Sequence, residues 1–475
     1  MMNEPIDVPP VRAAKSVYFI GIGGIGMSAL ARYFKGRGVR VSGYDKTESD
    51  LTRQLVSEGI AVHYSEDLSL IDKEAEIVVY TPAVPKEHAE LLWYQQHNFP
   101  VLKRSDVLGS ITAEAFNICV AGTHGKTTTS TMVAHILRNT GHGTNAFLGG
   151  ISVNYNTNFW ASFNDVYVVE ADEYDRSFWK LSPDVAIITS MDPDHLDIYG
   201  DAKTMEDAFV TFGNKIKPGG LLIYKFGLKR AKEIRADRTW SYSLQNEAAD
   251  VYGANIRIEN GGYTFDVHLP DTTLYNVRLN IGGMHNVENA IAAIAAVHSL
   301  DEPGDRISNA VASFKGVRRR FEYIIPPAAQ EPGAYVQPVL IDDYAHHPEE
   351  LKALLKSARS LFPGRIITVI FQPHLFSRTK DLFHGFASSL SVADRILLLP
   401  IYPARELPIE GVSSALILNE IDREDKQLLS KEELMMWAEN HSKELNKEFG
   451  EVIITAGAGD IDLLVSRLKE IFEKA

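Results

Sequence analysis

From end to end the chain alternates short apolar runs with polar or glycine-rich breaks. Residues 16–20 (SVYFI) form an apolar run rich in β-formers, followed by GIGGIG (21–26) and a helical pattern through MSALARYFKGRG (27–38). Gly38 is a helix stop, and VRVSGYD (39–45) reads as the next strand. Strand, glycine turn, helix and strand make a βαβ unit. EIVVYTPAV (76–84) predicts a further strand with its loop at Thr81 and Pro82, and FPVLKRSD (99–106) closes this section.

A second section opens with FNICVAG (116–122), a buried-strand run that feeds GTHGKTT (122–128). The helix TTSTMVAHILRNTG (128–141) follows, with Gly141 beyond its end. DVYVVEADE (165–173) and DVAIITSMDPDH (184–195) are apolar runs that end in acids or His. GGLLIYKF (219–226) and residues 252–277 add β character, and MHNVENAIAAIAAVHSL (284–300) is an Ala-rich helix. A third section carries four more apolar runs: QPVLIDDYAHHP (337–348), GRIITVIFQPH (364–374), DRILLLPIYPA (394–404) and EVIITAGAGD (451–460). The Pro-rich stretch 324–338 reads as the loop before them. The pattern predicts an α/β protein with mainly parallel sheets, divided at 1–113, 114–317 and 318–475. Nearly every polar cluster follows a strand run, which is where open α/β sheets bind ligands. A single cleft lined by such ends from three domains would explain the pattern.

Composition narrows the class. The chain has 475 residues, 45% of them hydrophobic and 23% charged, as in soluble globular proteins. A net charge of -14 argues against binding a nucleic-acid backbone, but leaves room for a small anion held by local cations and amides. Cys119 is the single cysteine, so no internal disulfide forms, which fits a reducing compartment. No apolar run approaches a membrane span and the first residues do not read as a secretory signal, so the expectation is a cytoplasmic protein.

Residues 122–127 read G-T-H-G-K-T. A strand, a glycine turn and a helix start make an anion site from backbone N–H groups. Lys126 would lie against the β and γ phosphates, and the Thr127 hydroxyl would ligate Mg²⁺. The usual signature has four residues between its glycines, whereas this one has two. A magnesium nucleotide needs acids, and strand ends offer Glu170, Asp172, Glu173 and Asp175, then Asp192, Asp194, His195 and Asp197. Singly, these read equally well as solvated loop acids and helix caps. GIGGIG, with Asp45 ending the next strand, is the dinucleotide fingerprint; NAD and a UDP-sugar present the same pyrophosphate and ribose. Arg318, Arg319 and Arg320, with His374, Arg378 and Lys380, form a cationic set suited to phosphates and carboxylates. His346 and His347 suggest zinc, but no third ligand at a standard spacing supports it.

Taken in order, AGTHGKTTT, EADE, DHLDIY, HNVENA, RRRFE, DDYAHHP and FQPHLFSRTKDLF resemble the Mur ligases of peptidoglycan synthesis, over almost the whole chain. That family's glycine loop has the short G-[TS]-x-G-K-[ST] form. The resemblance implies a Rossmann-like N-terminal domain binding the UDP of UDP-N-acetylmuramate through Gly23, Gly24, Ile25, Gly26, Asp45 and Arg104. It implies a central P-loop ATPase-like domain that holds ATP through Gly122, Thr123, His124, Gly125, Lys126, Thr127 and Thr128. It further implies a Rossmann-like C-terminal domain that closes over ATP and brings in the amino acid. Lys126 and Arg320 would hold the γ-phosphoryl group, Thr127 and Glu170 one Mg²⁺, and His195 a second. Asn286 and Asn289 look like adenine-side contacts and Asp343 like the ATP ribose contact. Tyr344, His346, His374 and Arg378 look like the amino-acid pocket, with His346 at the attacking amine.

The implied reaction joins L-alanine to the muramoyl carboxylate through an acyl phosphate, in a monomer or weak homodimer with no nucleic-acid or membrane partner. A ligase that attaches a whole tripeptide, and a nicotinamide-dependent dehydrogenase using GIGGIG, are the alternatives. Two positions depart from the family pattern. Ser190 stands where relatives usually have Asn, and Leu375 where they often have Arg. Lys203 comes too early for the carbamylated lysine that several relatives use.

Overall fold

Both faces of a parallel sheet are covered by helices, so its strands read as unbroken apolar runs. In the computed structural model, which describes residues 10–193, 196–328, 336–404, 406–446 and 448–474, those runs become the strands of three mainly parallel sheets. The first contains β1 (Ser16–Ile20), β2 (Arg40–Tyr44), β3 (Ala61–His63), β4 (Ile77–Tyr80) and β5 (Val101–Lys103), in the order β3-β2-β1-β4-β5. All its pairings are parallel. The order reverses between β1 and β4, and that switch point opens a crevice at the strands' carboxyl ends. Helix Ile25–Gly36 starts there.

The second sheet, of ten strands, includes β6 (Phe116–Ala121), β7 (Asn145–Ser152), β8 (Thr157–Trp160), β9 (Val166–Glu170), β10 (Val185–Ile188), β11 (Leu221–Lys225) and β12 (Arg238–Ser243). These run in the order β12-β11-β10-β6-β9-β7-β8, parallel except for the β7–β8 hairpin. The chain groups into two compact units. One takes Met1–Ala254, Val267–Leu274 and Glu288–Val311; the other takes Asn255–Asp266, Tyr275–Val287 and Ala312–Ala475. Strands β13 (Val251–Glu259), β14 (Gly262–His268) and β15 (Thr273–Leu279) have residues in both. The third sheet, in the second unit, holds β16 (Glu322–Ile325), β17 (Val339–Asp343), β18 (Ile366–Phe371), β19 (Arg395–Leu398), β20 (Lys426–Leu428) and β21 (Glu451–Ala456). Its order is β16-β17-β21-β18-β19-β20, with β16 alone antiparallel. Among the described residues no helix is long and apolar enough to cross a membrane.

Six strands, β3, β7, β8, β12, β16 and β20, arise where the hydrophobic pattern does not flag them. β7 contains Gly149 and Gly150, which weaken any strand signal, and β8 is short. The stretch 324–338, read from sequence as a loop, begins inside β16. Tyr323 pairs with Ile341 and Ile325 with Leu340 because β17 offers an open edge, and Pro326 follows directly after the strand.

Within the first unit, the β7–β8 hairpin holds helix Ile25–Gly36. The Tyr33 ring lies 5.7 Å from Phe147 and 6.1 Å from Phe159. Asn158, fully buried, donates to the Ile25 carbonyl (2.5 Å) and the Ser28 hydroxyl (3.0 Å) and accepts from Arg32 Nη1 (2.5 Å). Arg32, itself buried, also pairs with Glu58 at 2.8 Å. Asn158→Ala would strand these groups, so a stability loss of about 2–4 kcal/mol is expected. A urea midpoint equal to the wild type's would disprove that role.

Candidate active site

The phosphate loop joins β6 to helix Lys126–Thr140. Gly125 caps that helix at φ 81°, a left-handed conformation, and a Cβ there would stand 2.6 Å from Asn289 Oδ1. The loop is fastened from β10's end. The Thr123 hydroxyl lies 2.7 Å from the Ser190 hydroxyl, which also accepts from the His124 N–H at 3.0 Å. Thr189 donates to the His124 carbonyl at 2.5 Å, and the Asp192 N–H to the Thr123 hydroxyl at 3.2 Å. The His124 side chain is exposed while its backbone is tied on both sides, so its place in the loop is a backbone one. Ser190, the departure noted above, bridges Thr123 and His124. Thr128 is buried in the helix's first turn.

The acids after β9 are divided among different partners. Glu170 accepts from the Thr127 hydroxyl at 2.9 Å and from the Gly149 N–H at 2.9 Å. Glu173, 1% exposed, accepts from the Lys126 ammonium at 2.7 Å, and Lys126 also donates to the Gly122 carbonyl at 2.7 Å. Burial pushes both carboxyls up, and the Lys126 charge pulls both back. Asp172 meets Arg104 at 3.3 Å. Thr127 and Glu170 together present hard oxygens at the helix start, the donor chemistry of Mg²⁺. Among the described residues no group of three or more His, Cys, Asp or Glu could hold a metal ion. His195 and Asp194 lie outside the described residues, as do the side chains of Asp175 and Asp197.

At the first sheet's switch point, the Gly21 and Ile22 N–H groups donate to the Tyr44 carbonyl at 2.8 and 2.9 Å. The Gly23 N–H donates to Asp45 Oδ2 at 2.7 Å and the Thr47 N–H to Oδ1 at 3.1 Å. Asp45, expected on a ribose hydroxyl, here shapes the glycine turn. A cavity of about 290 Å³ is lined by Gly24, Ile25, Gly26 and Arg104 on one side and by Glu170 and Asp172 on the other. It therefore joins the glycine turn to the acids beside the phosphate loop.

The second unit carries the cationic set. Arg320, exposed, stands 5.5 Å from the Tyr344 ring centre. Arg319 is structural: it reaches Asp342 and Asp462 at 3.3 Å each and the Gly457 carbonyl at 2.5 Å. Asp343, expected on the ATP ribose, accepts from the Phe321 and Ala345 N–H groups at 2.7 Å each and fastens the loop. Asn286 donates to the Gly282 carbonyl at 2.7 Å. The His346 and His374 rings lie 6.1 Å apart, His374 stacks on Tyr402 at 5.8 Å, and Arg378 Nη1 comes within 3.5 Å of His374 Nδ1. Burial lowers both imidazoles and Arg378 adds to it, while Glu350 and the Tyr344 carbonyl oppose it at His346; the net shift is downward at both. Leu375 adopts φ 70° at the start of helix Phe376–Leu390. His347 is exposed at the start of helix Pro348–Leu361.

The sequence reading missed Gly149, and it named Ser190, Glu173 and Asp172 without pairing them to the loop, to Lys126 or to Arg104. For Gly149 the hint was a paired glycine in an apolar run. A Cβ on Gly149 would fall 2.3 Å from Glu170 Oε2. Gly149→Ala should therefore weaken Mg·ATP binding by about tenfold or more. Wild-type affinity by calorimetry would rule out this contact as part of the site.

Three family models match in succession: "Mur ligase family, catalytic domain" over 16–116, "Mur ligase middle domain" over 120–297 and "Mur ligase, glutamate ligase domain" over 319–459. A UDP-N-acetylmuramate–L-alanine ligase of Cytophaga hutchinsonii is 47% identical over 468 residues, 97% of each chain. Its counterpart in Porphyromonas gingivalis is 47% identical over 466 residues, 97% of this chain and 99% of that one. The crystal structure of the UDP-N-acetylmuramate–alanine ligase of Thermotoga maritima superposes with a TM-score of 0.78 at 27% identity, covering 97% of this chain and 99% of that one. A murein peptide ligase from Psychrobacter arcticus, at 21% identity and a TM-score of 0.66 over 97% of this chain and 99% of its own, shares the fold.

Proposed function

The chain belongs to the Mur ligase family, ATP-dependent enzymes that form amide bonds, and from that premise we propose that it joins L-alanine to the carboxylate of UDP-N-acetylmuramate. The observation that carries this reading is the cavity running from the glycine turn of the first sheet to Glu170, beside a lysine-bearing phosphate loop. Such a space takes a sugar nucleotide at one end and presents its carboxylate to a nucleotide triphosphate at the other.

Residues 1–113 would bind the UDP-sugar, 114–317 ATP, and 318–475 the amino acid. The glycine turn (Gly23, Gly24, Ile25, Gly26) and Arg104 meet the diphosphate. Phosphoryl transfer is mostly positioning and charge neutralisation. Lys126 and the amides of residues 122–125 hold the ATP phosphates. Asn289 borders the loop at Gly125, and Asn286 and Asp343 serve the nucleoside. Thr127 and Glu170 would hold Mg²⁺, which supplies charge neutralisation between the phosphates when bound. The muramoyl carboxylate attacks the γ-phosphorus and ADP departs, leaving an acyl phosphate. Arg320 is the second unit's cation for the transferring group.

The alanine carboxylate pairs with Arg378, a planar bidentate donor. The amine, once deprotonated, attacks the acyl carbon, a tetrahedral intermediate forms, and phosphate leaves. His346 and His374, neutral and flanked by Tyr344 and Tyr402, are poised to accept the amine's proton. The reaction is placed in the cytoplasm, where ATP is supplied.

Phosphate release with UDP-N-acetylmuramate and a panel of L-alanine, glycine, L-serine and tripeptide tests this directly. L-alanine turnover is expected, and turnover with tripeptide alone would overturn the assignment. Lys126→Ala should cut that release about 100-fold or more with the fold intact, since it removes the phosphate loop's cation. The imidazole is active unprotonated, so its contribution is present above its own pKa and lost as pH falls through it. The ratio of wild-type to His346→Asn activity, in which alanine's own ionisation cancels, should therefore drop with a midpoint below pH 6.5, the ordinary value. A ratio flat from pH 5 to 8 would exclude His346 as the base.

A further inference from the structure

Arg104 sits where the sugar diphosphate is expected, and its guanidinium is held from two sides. On one side it presses against the first turn of helix Ile25–Gly36. A Cβ on Gly26 would meet Arg104 Nη1 at 2.6 Å and Cδ at 3.0 Å, so only glycine leaves room. On the other side Nη2 reaches Asp172 Oδ2 at 3.3 Å. One contact to a carboxylate occupies a single donor out of the guanidinium's five, so most of the fork stays available to a phosphate.

Asp172 does not stand alone. It lies two residues after Glu170, which meets Thr127, and directly before Glu173, which grips Lys126. Glu173's carbonyl is itself fixed by the Tyr199 hydroxyl at 2.5 Å. One short turn at the end of β9 thus reaches the phosphate loop with its outer acids and the glycine-turn arginine with the acid between them. A long arginine side chain left to itself samples many rotamers, and ordering it is a cost that a ligand would otherwise bear.

We propose that Asp172 is the positioning residue for Arg104, holding its guanidinium at the diphosphate end of the cavity at a spacing from the phosphate loop set by the Glu170–Glu173 turn. This rests on the sugar-nucleotide reading of the cavity. It assigns to Asp172 a role that neither the mechanism nor the motif spacing required.

The test is a binding cycle on the full chain with three probes: UDP-N-acetylmuramate, UDP and uridine. Asp172→Asn is expected to weaken both diphosphates about tenfold and leave uridine within about twofold. Arg104→Ala should weaken the same two, and the double variant should be no weaker than Arg104→Ala alone, because Asp172 acts through Arg104. Asp172→Glu, which keeps the charge, should restore part of the loss. Mg·ATP binding to Asp172→Asn within about threefold of wild type checks that the turn still folds. Equal weakening of uridine, unchanged or tighter diphosphate binding, or additive losses in the double variant would each overturn the inference while leaving the ligase reading intact. A wild-type protein that bound neither UDP nor UDP-N-acetylmuramate would overturn the sugar-nucleotide reading, and this inference with it.

Discussion

A carboxylate pressed against backbone sets the geometry around the phosphate loop. Glu170 ends β9 with one oxygen on the Thr127 hydroxyl and the other on the Gly149 N–H. That arrangement exists only because β7 runs beside β9 and presents a residue with no side chain at the point of contact. Removing a carboxylate from water is costly unless donors replace the water. Here a hydroxyl and a backbone amide replace it, and the Lys126 charge adds to them. The same turn then sends Glu173 to Lys126 and Asp172 to Arg104. The loop's lysine, the Thr127 and Glu170 oxygens and Arg104 therefore share one support.

The second unit solves a different problem. In the proposed reaction it would supply cations for an amino-acid carboxylate and a base for the amine's proton. Burial is the main cause that lowers the His346 and His374 imidazoles, and the neighbouring Arg378 charge adds to it. A net charge of -14 on the whole chain does not prevent such local pockets, because screening in water confines each field to its surroundings.

Much of this was legible in order along the chain. Parallel strands buried on both faces leave continuous apolar runs, so the β1, β6, β9, β10, β17, β18 and β21 segments could be read directly. The glycine turns, Lys126, Thr127, Glu170 and the histidines of the third section follow such runs, and position after a strand is itself a local property. β7, β8 and β16 were not legible, since each depends on a neighbouring edge more than on its own composition.

The amino-acid sequence by itself determined the three α/β sections, the short phosphate loop and the family to which they point. These follow from periodicity and from residues adjacent in the chain. Tertiary structure alone decided which acid meets which cation. Nothing local separates Asp172 from Glu173, or Arg319 from Arg320. Only the approach of distant segments gives Glu173 to Lys126 and Asp172 to Arg104, and ties Arg319 into Asp342, Asp462 and Gly457. Hydrogen bonds and charges act over a few ångströms of space, and the separation of two residues along the chain does not set that distance.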